Sequence, residues 1–131
     1  RLRKQFELSI ILITHNLGMV AEIADRIAVM YAGLIIELGT AEQIYHHQLH
    51  PYTYGLINCV PNIKLDQKEL VTMPGSPPDL VSPPSGCPFA ERCPYVMDRC
   101  RVENPGLETK TDGQQVACWL YTESEVAPWQ N

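Results

Sequence analysis

Four of the five cysteines lie close together in the last third of the chain, in the spacing C-x5-C-x6-C-x17-C. Four thiolates satisfy either a tetrahedral zinc ion or an iron–sulfur cluster. Structural zinc sites usually pair their cysteines across about two to four intervening residues, whereas every gap here is wider, which suits a four-iron cluster. Proline directly follows two of the four, and a Cys-Pro step also occurs in ferredoxin-type cluster runs. The candidate ligands are Cys87, Cys93, Cys100 and Cys118.

Disulfides are the remaining alternative for these cysteines. No secretory signal with a small-residue cleavage site is evident near Arg1, so a reducing compartment is expected, and clustered cysteines there favour metal over disulfides. The fifth cysteine, Cys59, falls within an apolar helical stretch. We interpret Cys59 as a packed core thiol rather than a ligand.

A second candidate is His15, which follows the apolar, β-branched run Ser9–Ile13. Such a run predicts a strand buried on both faces of a parallel sheet. Ligands of open α/β sheets bind beyond the carboxyl ends of the strands, so the imidazole is placed where it could reach a phosphate. Taken alone, Thr-His-Asn favours a loop whose histidine is satisfied by local backbone over a phosphate contact.

The elements around His15 follow from the pattern of the chain. Apolar residues at helical spacing predict an amphipathic helix over 18–26. Two β-branched runs joined by Ala32 and Gly33 predict a hairpin over 27–38. The run 40–43, Thr-Ala-Glu-Gln, is a capping box that opens a further helix.

A change of composition divides the remainder of the chain. Proline at the first helical position predicts a helix that begins at His50-Pro51 and ends before Pro61. The proline-rich stretches 74–78 and 82–86 are expected to run extended. The segment from Cys87 to Trp119 has few apolar runs, and such a segment usually needs a staple to hold one shape.

Bulk properties exclude several classes of function. The chain has 131 residues and a net charge of −5, which argues against binding nucleic acid through a basic face and against a polybasic membrane anchor. No apolar run is long enough to cross a bilayer, so no direct membrane insertion is expected. The chain opens on Arg1 without methionine, and we interpret this as a start in the middle of a fold.

The run 9–39, from the strand through His15 to the hairpin, closely resembles the end of the nucleotide-binding domain of ABC transporters. The resemblance implies that His15 is the switch histidine, which contacts the γ-phosphate and orders the attacking water when two domains close around ATP. The family most often has aspartate after this histidine, and Asn16 here keeps an oxygen acceptor without the charge.

The later motifs resemble the C-terminal extension of the ABC ATPases that serve oligopeptide and dipeptide importers. His50-Pro51-Tyr52 is similar to the signature that opens this extension, and the prolines and cysteines that follow match it to about Tyr121. Members of this branch that share the cysteine pattern bind a [4Fe–4S] cluster. The resemblance implies that the four cysteines of this chain also bind such a cluster, with zinc as the alternative cofactor.

The resemblance implies an α/β fold, namely the C-terminal part of a P-loop, RecA-like ABC ATPase domain over 1–48, followed by a small, irregular, metal-stapled extension over 49–131. It also implies an ATPase that uses ATP and Mg²⁺ to drive peptide import. Its expected partners are a second ABC ATPase subunit and membrane permease subunits. It would act as a peripheral subunit on the cytoplasmic face of the plasma (inner) membrane.

The residues that would bind the rest of ATP are absent from this sequence. No Gly-x-x-x-x-Gly-Lys-Ser/Thr loop occurs, and neither does a Leu-Ser-Gly-Gly-Gln signature. Because phosphoryl transfer depends on positioned charge, including that lysine and the metal, the chain alone is expected to be inactive. Two alternatives stay open, namely a non-enzymatic iron–sulfur or zinc module that regulates or assembles a complex, and the equivalent subunit of a nickel importer.

Overall fold

The computed structural model describes residues 8–59, 73–110, 112–122 and 127–129. They form short helices and one four-stranded sheet in the order β1-β2-β4-β3, in which every pair is antiparallel. The α-helices are α1 (Leu17–Ile23), α2 (Ala41–His46), α3 (Pro51–Asn58) and α4 (Asp98–Val102). The strands are β1 (Arg26–Tyr31), β2 (Leu34–Thr40), β3 (Glu108–Thr109) and β4 (Gln115–Val116). Two 3-10 turns cover Ala90–Arg92 and Trp119–Thr122.

The predicted hairpin is confirmed as β1 and β2. Its two turn residues, Ala32 and Gly33, have φ values of 49° and 81°. Positive φ at both central positions is the geometry that matches the right-handed twist of the flanking strands. Burial alternates strictly along β1, so that Ile27, Val29 and Tyr31 face the core. The hairpin therefore presents one apolar face for the rest of the chain to cover.

Two predicted helix starts are also confirmed. At α2, the Thr40 hydroxyl accepts from the Gln43 amide at 3.2 Å, and the Gln43 side chain accepts from the Thr40 amide at 2.8 Å. At α3, Pro51 occupies the first turn, and His50 is the N-cap residue. This helix ends at Asn58, and its predicted stop at Pro61 lies outside the described residues.

The predicted buried strand over 9–13 is wrong for the chain as described. These residues have no regular structure, and the side chains of Ile11 and Ile13 are each 94% exposed. A strand buried on both faces needs neighbours on both edges and helices above and below it. No described strand pairs with this run, so its apolar side chains remain in solvent. The predicted helix that follows it is confirmed as α1, but it ends at Ile23, and Arg26 already belongs to β1.

Phe89 lies at the centre of the main core. It is 2% exposed, and its ring packs edge-on against Tyr31 of β1 at 5.3 Å and against Tyr52 of α3 at 5.5 Å. Phe89 therefore joins the hairpin, α3 and the start of the cysteine-containing segment in one cluster, while Ala90, Cys100 and Trp119 form a second cluster.

Arg92 fixes the proline-rich stretch that leads to the cysteines. Its guanidinium donates to the carbonyls of Met73 and Pro74 at 3.2 and 2.9 Å, and to the Tyr31 hydroxyl at 3.2 Å. The stretch over 73–86 carries no regular secondary structure, as its prolines predict. Helices long and apolar enough to span a membrane do not occur among the described residues.

Candidate functional site

The structure brings the four candidate cysteines to one small cavity. Its volume is about 10 Å³, roughly the space of one water molecule. The walls around the thiols are largely aromatic or apolar. The lining residues besides the cysteines are His50, Pro51, Phe89, Ala90, Tyr95, Trp119 and Leu120. Four cysteines that lie up to 31 positions apart in sequence therefore share one enclosed, water-poor site.

Two of the cysteines are joined directly through the backbone. The Cys87 amide donates to the Cys100 carbonyl at 2.7 Å, which ties the start of the cysteine segment to α4. This approach requires glycine at position 86. A Cβ on Gly86 would lie 2.4 Å from the Cys100 carbonyl oxygen and 2.5 Å from the Arg101 carbonyl carbon, closer than real Cβ contacts allow.

Backbone amides face three of the four thiols. The Phe89 amide donates toward Cys87, that of Tyr95 toward Cys93 and that of Leu120 toward Cys118. The Ala90 amide, which donates to the Cys87 carbonyl at 3.0 Å, also faces the Cys87 thiol. In each case the donor lies two residues after the cysteine, with one further donor at Cys87. The two intervening prolines have fixed φ and no N–H of their own, so they help to turn the next amide back toward the sulfur.

Burial controls the protonation of these thiols. It raises the pKa of Cys87, and it raises the pKa of Cys93 to about 11 and that of Cys118 to about 12, while the facing amides oppose the shift. Neighbouring thiols add to the shift, because thiolates repel: Cys100 raises the pKa of Cys87, Cys87 and Cys100 raise that of Cys93, and all three raise that of Cys118. A cation bound by these thiols would therefore displace their protons.

One wall of the site is closed by Trp119. Its indole N–H donates to the Glu103 carbonyl at 3.0 Å, and the Arg99 guanidinium lies 3.4 Å from the centre of its ring. Arg99 in turn pairs with the Glu103 carboxylate at 2.7 Å. The indole is thereby fixed by both its edge and its face, and it excludes water from the thiols.

The chemistry of the donor set fits a group held by four thiolates. All four are sulfur, all line the same cavity, and backbone amides that could stabilise negative sulfur are already aimed at three of them. Within the described ranges, however, no three His, Cys, Asp or Glu side chains are arranged as for a single metal ion. Cys59 is half-buried at the end of α3 and does not line the cavity.

A buried carboxylate that no sequence motif indicated organises the approach to this site. Glu37 of β2 is fully buried, and it accepts from the amides of Leu49 and His50 at 2.7 and 2.9 Å. It also accepts from the Gln114 side chain at 2.7 Å. Burial raises the pKa of Glu37, and these donors oppose that shift. An acid in the middle of an apolar strand was the signal that could have identified it.

His15 lies apart from the cysteine cavity. It is exposed and immediately precedes α1, whose N-cap is Asn16. The Asn16 side chain accepts from the Met19 amide at 3.2 Å. The oxygen that asparagine shares with aspartate is therefore used to start the helix next to His15.

Comparison with known proteins places these features in a family. The model described as "Oligopeptide/dipeptide transporter, C-terminal region" matches residues 36–100. The dipeptide transport ATP-binding protein DppD of Bacillus subtilis is 50% identical over 119 residues, covering 91% of this chain and 36% of that protein. The oligopeptide transport ATP-binding protein OppD of Haemophilus influenzae is 47% identical over 122 residues, covering 93% of this chain and 38% of that protein.

A third relative agrees with these two. The oligopeptide transport ATP-binding protein OppD of Escherichia coli K12 is 43% identical over 118 residues, covering 90% of this chain and 35% of that protein. The chain thus spans little more than a third of the length of the curated relatives it matches. It belongs to the family of oligopeptide and dipeptide transporter ATP-binding proteins, and it corresponds to their C-terminal region.

Proposed function

We propose that the protein containing this chain is the ATP-binding and ATP-hydrolysing subunit of an ABC importer for oligopeptides or dipeptides. The observation that carries the proposal is the 43–50% identity over about nine-tenths of the chain to proteins named for dipeptide and oligopeptide transport. Those names favour a peptide importer over a nickel importer or a free-standing regulatory module. The expected partners are a second ATP-binding subunit and membrane permeases, with this subunit on the cytoplasmic face of the membrane.

Within this proposal, His15 acts as the switch histidine. Support comes from its position directly before the N-cap of α1, exposed and free to meet a nucleotide bound by the rest of the domain. Residues 1–48 complete the P-loop nucleotide-binding domain, and residues 49–131 form the metal-stapled extension. Donation of an imidazole N–H to the γ-phosphate would help to order the attacking water.

Replacement of His15 in the full-length subunit tests this role. His15→Ala is expected to abolish ATP turnover while nucleotide binding is largely retained. His46→Ala is the matched control, because His46 is an exposed histidine on α2. Undiminished hydrolysis in His15→Ala, or equal losses in both variants, would contradict the assignment.

We also propose that Cys87, Cys93, Cys100 and Cys118 hold a [4Fe–4S] cluster. Support comes from the four thiols that line one cavity and from the backbone amides aimed at three of their sulfurs. When bound, the cluster would cross-link the segment covalently through four Fe–S bonds. The residues themselves exclude water and hold α4 against the turn that follows Gly86. A structural or sensing role is favoured, with zinc as the alternative occupant.

Metal analysis after anaerobic purification tests the cofactor. The expected result is a coloured protein containing iron and acid-labile sulfide, and both are lost in Cys93→Ser. Cys59→Ser is the matched control, because Cys59 does not line the cavity, and its iron content is expected to be unchanged. A colourless protein with stoichiometric zinc would refute the cluster and favour the alternative.

A further inference from the structure

The first residue of the His-Pro-Tyr motif borders the cysteine cavity. His50 is 2% exposed, and its side chain lines the same space as the four thiols. Its ring packs against Phe89 with the ring centres 5.7 Å apart. The presence of a polar, ionisable side chain in this wall suggests a specific role, because leucine or phenylalanine would fill the same volume without the free-energy cost of desolvating a polar group.

The helix cap explains only one of the two ring nitrogens. The Nδ1 atom of His50 accepts the Tyr52 amide hydrogen at 3.0 Å, so Nδ1 carries no proton. A neutral imidazole with an accepting Nδ1 carries its single proton on Nε2. The ring edge away from the helix backbone is therefore an N–H donor.

The backbone of His50 is held firmly, so this donor has a fixed position. The His50 amide donates to the buried Glu37 carboxylate at 2.9 Å, and the Tyr54 amide donates back to the His50 carbonyl at 3.0 Å. The orientation of the imidazole ring is thus fixed by β2, by the first turn of α3 and by the packing of Phe89. Such support is what a positioning residue at a metal centre requires.

Among the described residues that line the cavity, two other side chains have N–H or O–H donors. The Trp119 indole N–H is already donated to the Glu103 carbonyl at 3.0 Å. Tyr95 is half-buried, and its ring lies against Trp129 with the ring centres 5.4 Å apart. His50 is the lining donor that combines full burial with a proton on its distal edge.

We propose that His50 donates its Nε2–H to a sulfur of the group held by the four cysteines, and so sets the electronic properties of that group. The inference rests on the proposed cluster. Hydrogen bonds to the sulfurs are among the factors that set the reduction potential of a cluster, because they stabilise the extra negative charge of the reduced form. The donated bond would therefore raise the midpoint potential.

Two substitutions separate the cap from the distal donor. His50→Asn keeps a side-chain acceptor suited to the N-cap, but it is too short to place a donor at the Nε2 position. His50→Gln can place an amide N–H near the Nε2 position, but it is a poorer cap. The midpoint potential is measured by EPR-monitored titration of the full-length subunit, reconstituted anaerobically with iron and sulfide. His47→Asn, an exposed position, is the matched control.

The expected result is a lower midpoint potential in His50→Asn, with His50→Gln and His47→Asn close to wild type. Equal potentials in wild type and His50→Asn would overturn the role of His50 while leaving the cluster in place. A drop in Tyr95→Phe but not in His50→Asn would assign the donor to Tyr95 and overturn it equally. Absence of iron and sulfide from the wild-type protein would overturn both the cluster and this inference.

A spectroscopic measurement on the wild-type protein tests the hydrogen bond directly, even where a His50 variant does not fold. With ¹⁵N-histidine incorporated, the reduced cluster is expected to show a nitrogen hyperfine coupling in pulsed EPR, because an N–H···S bond transmits spin density to the ring. The coupling should persist in His47→Asn. A wild-type spectrum without a histidine coupling would refute the proposal whether or not His50→Asn retains its cluster.

Discussion

Replacement of Glu37 by leucine tests whether the buried carboxylate organises the start of α3. Three donors converge on this side chain, the amides of Leu49 and His50 and the side chain of Gln114, at 2.7 to 2.9 Å. Leucine would avoid the free-energy cost of desolvating a charge, but it would leave all three buried donors without an acceptor. A buried unsatisfied donor costs about 1–3 kcal/mol, so after the gain from burying leucine we expect a net loss of about 4 kcal/mol.

The isosteric change at Glu37 gives an intermediate expectation. In Glu37→Gln one oxygen can still accept from the Leu49 amide, but the new amide group faces the N–H of His50, donor against donor. We expect a loss of about 2 kcal/mol, since one of the two backbone donors loses its acceptor. The order of cost, leucine above glutamine above wild type, follows from the number of donors left unpaired.

Urea unfolding of the purified protein measures these losses as changes in the free energy of unfolding. Glu42→Leu is the matched control, because that carboxylate lies on α2 with its side chain 77% exposed. A surface change of this kind is expected to cost less than about 1 kcal/mol. If Glu37→Leu cost no more than Glu42→Leu, the carboxylate would not hold α3, and the reasoning from its three hydrogen bonds would be refuted.

Three further changes have separate physical reasons. Gly86→Ala is expected to lose about 1–3 kcal/mol in urea unfolding, because its Cβ would overlap the Cys100 carbonyl, whereas Gly106→Ala, with open space around it, should be close to neutral. The pKa of His50 is about 3 in the folded protein and 6.5 in the unfolded chain, so the contribution of His50 to stability is complete above pH 6.5 and is lost as the pH falls. The difference in free energy of unfolding between wild type and His50→Asn should therefore shrink by about 2 kcal/mol between pH 8 and pH 5. An unchanged difference would contradict the neutral ring. Thr40→Ala is expected to cost about 1 kcal/mol by loss of the capping box, and a fully stable variant would show that Gln43 alone is sufficient.

Local chemistry was predictable from the sequence. The turn at Ala32-Gly33, the capping box at Thr40 and the helix start at Pro51 each depend on a few adjacent residues, and each is confirmed. The strand predicted over 9–13 failed because a buried strand depends on partners far away in sequence, and the described part of the chain supplies none.

Long-range arrangement was not predictable in the same way. The cysteine set follows from spacing and from the family resemblance, but neither places His50 or Trp119 around it. The Glu37 network joins β2 to Gln114, 77 positions away, and no local pattern indicates that pairing. The short strands β3 and β4 are likewise too brief to give a period, and they exist because β2 offers an edge for β4 to join.

That edge has a consequence for biosynthesis. Glu37 of β2 pairs with Val116 of β4, and 116 − 37 places the two partners 79 residues apart. At about 5–20 residues per second, the ribosome needs roughly 4–16 s to deliver the second partner after the first. Throughout that interval β2 is an open edge, the kind of surface on which nascent chains associate wrongly. The strand that closes it is followed two residues later by Cys118, so protection of the sheet and completion of the thiol set arrive in the same moment of synthesis.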